Sequence, residues 1–184
     1  MFNKKTDDQL MEMIANENYK AFEVLFNRYA SLVFGYSRKF FNDPIVAEDM
    51  AQDVWQKLIV YSKNYQAQGA FKSWLMRMTK NICINNYNRK FNKLEFREDF
   101  NDEVDDGSEI SQILEDKERY EDLEVALGQL PDNQRIILML WFVEEKNYKE
   151  ISEDLGLSLS AVKSNLFRAK KSLAKEVSKN EKAG

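Results

Sequence analysis

The sequence predicts an all-α protein made of two small helical domains joined by a flexible acidic linker. Only six glycines and two prolines interrupt 184 residues rich in good helix formers. Apolar residues recur at spacings of three and four along most of the chain. Charge is segregated: Lys63 to Lys93 carries seven basic residues and no acid, residues 95 to 124 are strongly acidic, and Ser160 to Lys175 is basic again. The length suits one ordinary domain or two small ones.

Thr6-Asp7-Asp8-Gln9 has the form of a capping box, opening a helix with Leu10, Met13 and Ile14 on its inner face. Ala21, Phe22, Leu25, Phe26 and Tyr29, then Leu32, Val33 and Tyr36, continue at helical spacing. Asp43-Pro44 reads as an N-cap with proline at the first helical position, and this helix runs to about Tyr61. A short loop around Gly69 leads into a helix over roughly Ala70 to Lys90. Residues 94–117 are acidic, weakly periodic and contain Gly107-Ser108, which marks the linker. Beyond it, one helix ends near Leu130, Pro131 opens another, and two more complete the chain. The expected division is 1–93, 94–117 and 118–184.

Composition excludes several chemistries. The single cysteine, Cys83, cannot form an internal disulfide and fits a reducing cytosol. With no histidine and no second thiolate, a zinc site or a histidine-based triad is not expected, and neither a metal nor another cofactor is called for. The stretch "MFNKKTDDQLMEMI" lacks the apolar core of a signal peptide, and the longest apolar run, Ile136 to Val143, is too short to span a bilayer. The expectation is a cytoplasmic chain with no membrane partner.

The segment "GLSLSAVKSNLFRAKKSL" contains no carboxylate although the chain has a net charge of -4. Ile151 and Leu155 form the inner edge of a short helix, Gly156 can take the positive φ of a tight turn, and Ser158 can cap the next helix. Val162, Leu166, Ala169, Leu173 and Val177 make one buried stripe. Ser160, Ser164, Phe167, Arg168 and Lys171 share another face, flanked by Lys163 and Lys170. Helix, glycine turn and helix with a basic outer face is the helix-turn-helix arrangement, whose second helix fits the major groove. A structural helical hairpin with a basic surface is the competing reading.

"YKEISEDLGLSLSAVKSNLFRAKKSL" resembles region 4.2 of bacterial sigma factors of the small extracytoplasmic-function group, within the sigma-70 family, and "LGQLPDNQRIILMLWFVEEKNYKEIS" resembles region 4.1. The resemblance implies that this unit reads the promoter −35 element, with Ser160, Lys163, Ser164, Phe167, Arg168 and Lys171 at the DNA. "AEDMAQDVWQKLIVY" places Ala47, Ala51, Val54 and Leu58 on an apolar side and Asp49, Gln52, Asp53 and Gln56 on the other. Alone, that is a polar helix face, and less plausibly part of a metal site. By resemblance to region 2.2 it docks on core RNA polymerase through charge-assisted hydrogen bonds.

"FKSWLMRMTKNICINNYNRK" resembles regions 2.3 and 2.4, which open the −10 element and hold its single strand. Unstacked bases need flat surfaces, which Tyr65, Trp74 and Tyr87 could supply. Lys72, Arg77, Lys80, Arg89 and Lys90 can neutralise phosphates. Asn81, Asn85 and Asn88 offer paired donors and acceptors for base edges, and the resemblance implies that the loop from Lys63 to Gly69 and the position of Asn81 help recognise a flipped −10 base. Trp74 has a second reading as core, because Phe71, Leu75, Met78 and Ile82 share its stripe. Asn85 and Asn88 depart from the family's usual Asp and Arg, which leaves open an altered −10 preference or a different helix contact.

The resemblance spans residues 6–93 and 118–178. It implies a non-enzymatic promoter-specificity subunit whose partners are core RNA polymerase and promoter DNA, with an anti-sigma factor as a partner such proteins often have. The acidic linker would thread near the active-site and RNA-exit channels. A stand-alone helix-turn-helix regulator is the main alternative, but it leaves the face formed by residues 49–56 without a role. An inactive relative that occupies polymerase is a lesser one.

Overall fold

The computed structural model describes residues 4–90 and 120–183, which are helical with no strand among them. The expected linker and both expected domain boundaries, at 93 and 118, lie outside the described residues. The chain divides into two compact units, Met1–Tyr87 and Asn88–Gly184.

In the first unit, α1 (Asp7–Ala15) opens on the expected capping box. The Gln9 amide donates to Thr6 Oγ1 at 3.3 Å and the Thr6 amide to Gln9 Oε1 at 3.1 Å. Leu10, Met11 and Ile14 are buried, and Met13 is only half-buried. The inner face is therefore centred one position from that expected, because α1 must cover both α2 and the turn after α3. The helical spacing does not run through to Tyr36 as one element. Glu17 takes φ 62, and Asn18 caps α2 (Tyr19–Phe40) by accepting from the Ala21 amide at 3.2 Å. The chain thus turns back, and α2 packs on α1 and α3.

Asp43 caps α3 (Pro44–Tyr61) as expected, its Oδ1 accepting from the Ile45 amide at 2.9 Å. Ala47, Met50, Ala51, Val54, Trp55 and Leu58 form the buried side of α3. Trp55 meets Phe22 edge-on at 6.0 Å and Phe26 at 5.1 Å, which ties α3 to α2. A single 3-10 turn, Ser62–Asn64, ends α3 and leads through Gly69 into α4 (Phe71–Lys90). Phe71 packs on Tyr29 at 5.4 Å, and the Cys83 thiol lies 3.9 Å from the Ser37 hydroxyl, so α4 rests on α2. Leu25, Val54, Leu58 and Leu75 are fully buried in this core. Truncating any one of the three leucines to alanine would cost about 2–5 kcal/mol.

In the second unit, α5 (Tyr120–Gln129) is followed by Pro131 and α6 (Asp132–Leu138), which continues as a π-helical turn over Met139–Val143. Ile136 to Leu140 are all buried. A helix segment apolar on every side must be enclosed, and α8 packs along it while α7 packs on its π-helical turn. Within α6, Arg135 is buried and pairs with Asp132.

The last pair is α7 (Tyr148–Leu155) and α8 (Leu159–Ala183). Asn147 and Glu150 form a second capping box, carried in the sequence as Asn-Tyr-Lys-Glu. Gly156 ends α7 in the left-handed region at φ 62. The Ser152 hydroxyl donates to the Leu157 carbonyl at 2.6 Å, and Ser158 Oγ caps α8 by accepting from the Ala161 amide at 3.1 Å. An ion pair between Lys146 and Asp154 secures α7 to the turn before it.

Candidate nucleic-acid interface

In the first unit, the turn after α3 and the outer side of α4 enclose an open cavity of about 620 Å³. Tyr61, Tyr65, Trp74, Arg77, Asn81 and Asn85 are among its lining residues. Tyr65 and Trp74 meet edge to face with ring centres 5.0 Å apart, and Phe71 backs both. The helical period explains the arrangement: Trp74, Arg77, Asn81 and Asn85 follow at spacings of three, four and four on α4. The wall combines aromatic rings, amides and a guanidinium, which is what an unstacked base needs.

Trp74 is half-buried, so its indole is not core; Phe71, Leu75 and Ile82 take that role one position round the helix. Tyr87 is 1% exposed and cannot offer its ring to a base, a correction to its expected part. The apolar stripe of α4 drifts as the helix proceeds and takes Tyr87 inward. Lys72, Arg77, Asn81, Asn85, Asn88 and Arg89 are exposed, and Lys80 is half-buried. Lys72, Lys80, Asn88 and Arg89 are not cavity-lining residues; they lie along the rest of α4. Asn64, Gln66 and Gln68 also line the cavity, within the loop from Lys63 to Gly69 to which the family resemblance points, while Lys57 and Tyr61 at the end of α3 line it without having been singled out in the sequence.

Two aspartates of α1 fix the surroundings. Asp8 Oδ1 accepts from the Tyr65 hydroxyl at 2.6 Å, and Asp8 Oδ2 from the Gly69 amide at 2.8 Å. Asp7 accepts from the Tyr29 hydroxyl at 2.5 Å and from Arg28 Nη1 at 2.6 Å. Burial, and then the bond to Asp8, push the Tyr65 phenol well above its usual range, so it remains a donor at neutral pH. The same causes push Tyr29 up to about 12, with Asp7 as its acceptor.

On α3, Asp49, Gln52 and Gln56 are exposed and Asp53 is half-buried, opposite the buried side. None of the four side chains has a hydrogen bond or ion pair among the described residues, so their acceptors stand open to a partner. Among the described residues no group of three or more His, Cys, Asp or Glu is placed to hold a metal ion.

On α8, Val162, Leu166, Ala169, Leu173 and Val177 are all buried, as the stripe requires. Ser160, Lys163 and Lys171 are exposed; Ser164, Phe167 and Arg168 are half-buried. Phe167 therefore lies partly in the surface rather than standing free. Lys170 does not flank the outer face. It is 4% exposed, with its ammonium 4.2 Å from the centre of the Trp141 ring. The buried sector of α8 is wider than the stripe and includes Ala161 and Asn165.

Two family models match the chain: Sigma-70 region 2 over residues 25–91 and Sigma-70, region 4 over residues 120–173. The chain is 27% identical to the ECF RNA polymerase sigma factor SigE of Mycolicibacterium smegmatis, over 87% of this chain and 63% of that one. It is 24% identical to the RNA polymerase sigma-H factor of Pseudomonas aeruginosa, over 95% of both. Among solved structures, that of CnrH in complex with the cytosolic domain of CnrY is similar at 21% identity and a TM-score of 0.45, covering 92% of this chain and 95% of that one.

Proposed function

Because the chain belongs to the sigma-70 family, in the extracytoplasmic-function group of RNA polymerase sigma factors, we propose that its first unit captures an unpaired base of the −10 strand in the cavity between Tyr65 and Asn85. The observation that carries this reading is the cavity wall: two rings set edge to face, with Arg77, Asn81 and Asn85 in line beside them. A base entering there stacks on an aromatic face and turns its edge to the amides, while Arg77 meets phosphate. Extruding a base costs a few kcal/mol, which stacking and hydrogen bonds of about 1–3 kcal/mol per base offset. Lys72, Lys80, Asn88 and Arg89 continue the track for the backbone along α4.

Asp49, Gln52, Asp53 and Gln56 present the open acceptors of α3 to basic side chains of core polymerase. In the second unit, Ser160, Lys163, Ser164, Phe167, Arg168 and Lys171 meet the −35 duplex. The division into a −10 unit to residue 93, a linker at 94–117 and a −35 unit from residue 118 belongs to the same proposal. The partners are core RNA polymerase and promoter DNA, with an anti-sigma factor as a further one of the kind the family takes. A cytoplasmic location follows from those partners, and the chain itself catalyses nothing.

Each basic surface is small, so tight promoter binding requires polymerase to hold both units at promoter spacing, which raises their effective concentration. Run-off transcription with bacterial core RNA polymerase and fragmented DNA from the source organism tests the reading. Discrete new transcripts that share two upstream elements are the expected result. No transcripts, with tight binding of the free chain to duplex DNA, would overturn it in favour of a stand-alone regulator.

A further inference from the structure

We propose that Asp8, which lines no part of the cavity itself, is the positioning residue that sets −10 discrimination by clasping both ends of the 65–69 turn. One carboxylate oxygen holds the Tyr65 hydroxyl at 2.6 Å and the other the Gly69 amide at 2.8 Å. The turn has few other anchors: the Tyr65 amide donates to the Ser62 carbonyl at 3.2 Å, and the Ser62 hydroxyl to the Ile59 carbonyl at 2.7 Å. Both of those lie at its start. Residues 66–70 are exposed, and Gly69 takes φ 69 with nothing near the place a side chain would occupy. Among the described residues, the carboxylate of Asp8 is what ties the turn beyond Tyr65 to the helical body.

The geometry couples this tie to the cavity. Tyr65 is both a ligand of Asp8 and a cavity wall, set edge-on against Trp74. Gln66 and Gln68, which also line the cavity, lie between the two clasped points. Releasing Asp8 frees the Tyr65 ring to turn and lets both glutamines move, while leaving the cores of α1 to α4 intact. A pocket whose wall moves still admits a base but distinguishes bases less well. The inference rests on the proposed reading of the cavity.

The test uses holoenzyme assembled from the full chain and core polymerase. Templates are a promoter found by run-off mapping and its single-base −10 variants, competed at saturating holoenzyme. Asp8→Ala, which removes both hydrogen bonds to the carboxylate, should lower the ratio of mapped to variant transcripts about tenfold or more. Tyr65→Phe, which keeps the ring and removes its donor, should act in the same direction. The Asp8→Ala/Tyr65→Phe double variant should be little worse than Asp8→Ala alone. Amide exchange at Gly69 in the free chain should be slow in the wild type and fast in Asp8→Ala. Should Asp8→Ala fold poorly, Asp8→Asn, which keeps one acceptor, should give a smaller loss of ratio.

A general loss of stability would depress all templates together and leave the ratio unmoved. Wild-type transcription with an unchanged ratio in Asp8→Ala, or additive losses in the double variant, overturns the positioning role alone. A wild-type chain that directs no promoter-dependent transcription overturns the broader reading, and the positioning role with it.

Discussion

The Lys170 ammonium stands 4.2 Å from the centre of the Trp141 ring, with Lys170 only 4% exposed. A lysine on α8, the helix proposed to meet the −35 duplex, is thus turned inward, across the π turn that ends α6. A desolvated cation over an indole face gains about 2 kcal/mol. Trp141→Leu, which removes that contact and part of a half-buried ring's packing, should therefore destabilise the full chain by about 2–3 kcal/mol, more than Lys170→Met, which should cost under about 1.5 kcal/mol by conserving volume. Urea denaturation of both variants measures this. Equal losses would show that the ring acts by burial alone.

Gly156 carries the turn between α7 and α8 at φ 62. A side chain there meets the following carbonyl, at a cost of roughly 1–2 kcal/mol. Gly156→Ala should lower the melting temperature and, by tilting α8, reduce −35-dependent transcription more than transcription from melted templates. Equal losses on both templates would argue against a tilt.

Much of this was legible because local signals agree with the tertiary fold. Thr6, Asp43, Gly156 and Ser158 cap or end helices through bonds to their own neighbours, so spacing alone found them. The buried stripe of α8 was readable from its period for the same reason. Lys170 was misplaced because a cation over a ring depends on a partner distant in sequence, and Tyr87 because the apolar stripe of α4 drifts along the helix. Asp8 read as helix-capping sequence, since its bond to Tyr65 spans 57 residues and Gly69 lies 61 away. The break at Glu17 was hidden because apolar spacing happens to continue across it.

Cys83 is fully buried, and burial pushes its thiol up to about 12, against a small lowering by the Ser37 hydroxyl. Tyr29 is likewise raised to about 12. Each folded group holds its proton more tightly than the unfolded one. Their contribution to stability is therefore complete below the unfolded values, about 8.5 for the thiol and 10 for the phenol, and is lost as pH rises through 12. From these groups the melting temperature should be level through neutral pH and fall in the alkaline range. The thiol should resist iodoacetamide at about pH 8 until urea unfolds the chain. Rapid alkylation of the folded protein would contradict the burial on which both expectations rest.

Arg168 and Lys163 share the outer side of α8 but are held differently. Arg168 is half-buried, and its Nη2 donates to the Oδ1 of buried Asn165 at 3.3 Å, while Lys163 is exposed. A guanidinium held by a neighbouring side chain has a defined direction, which suits a base edge; an exposed ammonium suits phosphate. Lys163→Ala in holoenzyme should weaken binding to all −35 sequences alike and reduce the salt slope by about one. Arg168→Ala should relax preference at one base pair, worth about 1–3 kcal/mol, or tenfold or more in promoter competition. Asn165→Ala should reproduce part of that relaxation without touching DNA, because it releases the guanidinium rather than removing it. Uniform weakening by Arg168→Ala across −35 variants would instead assign it to the phosphates.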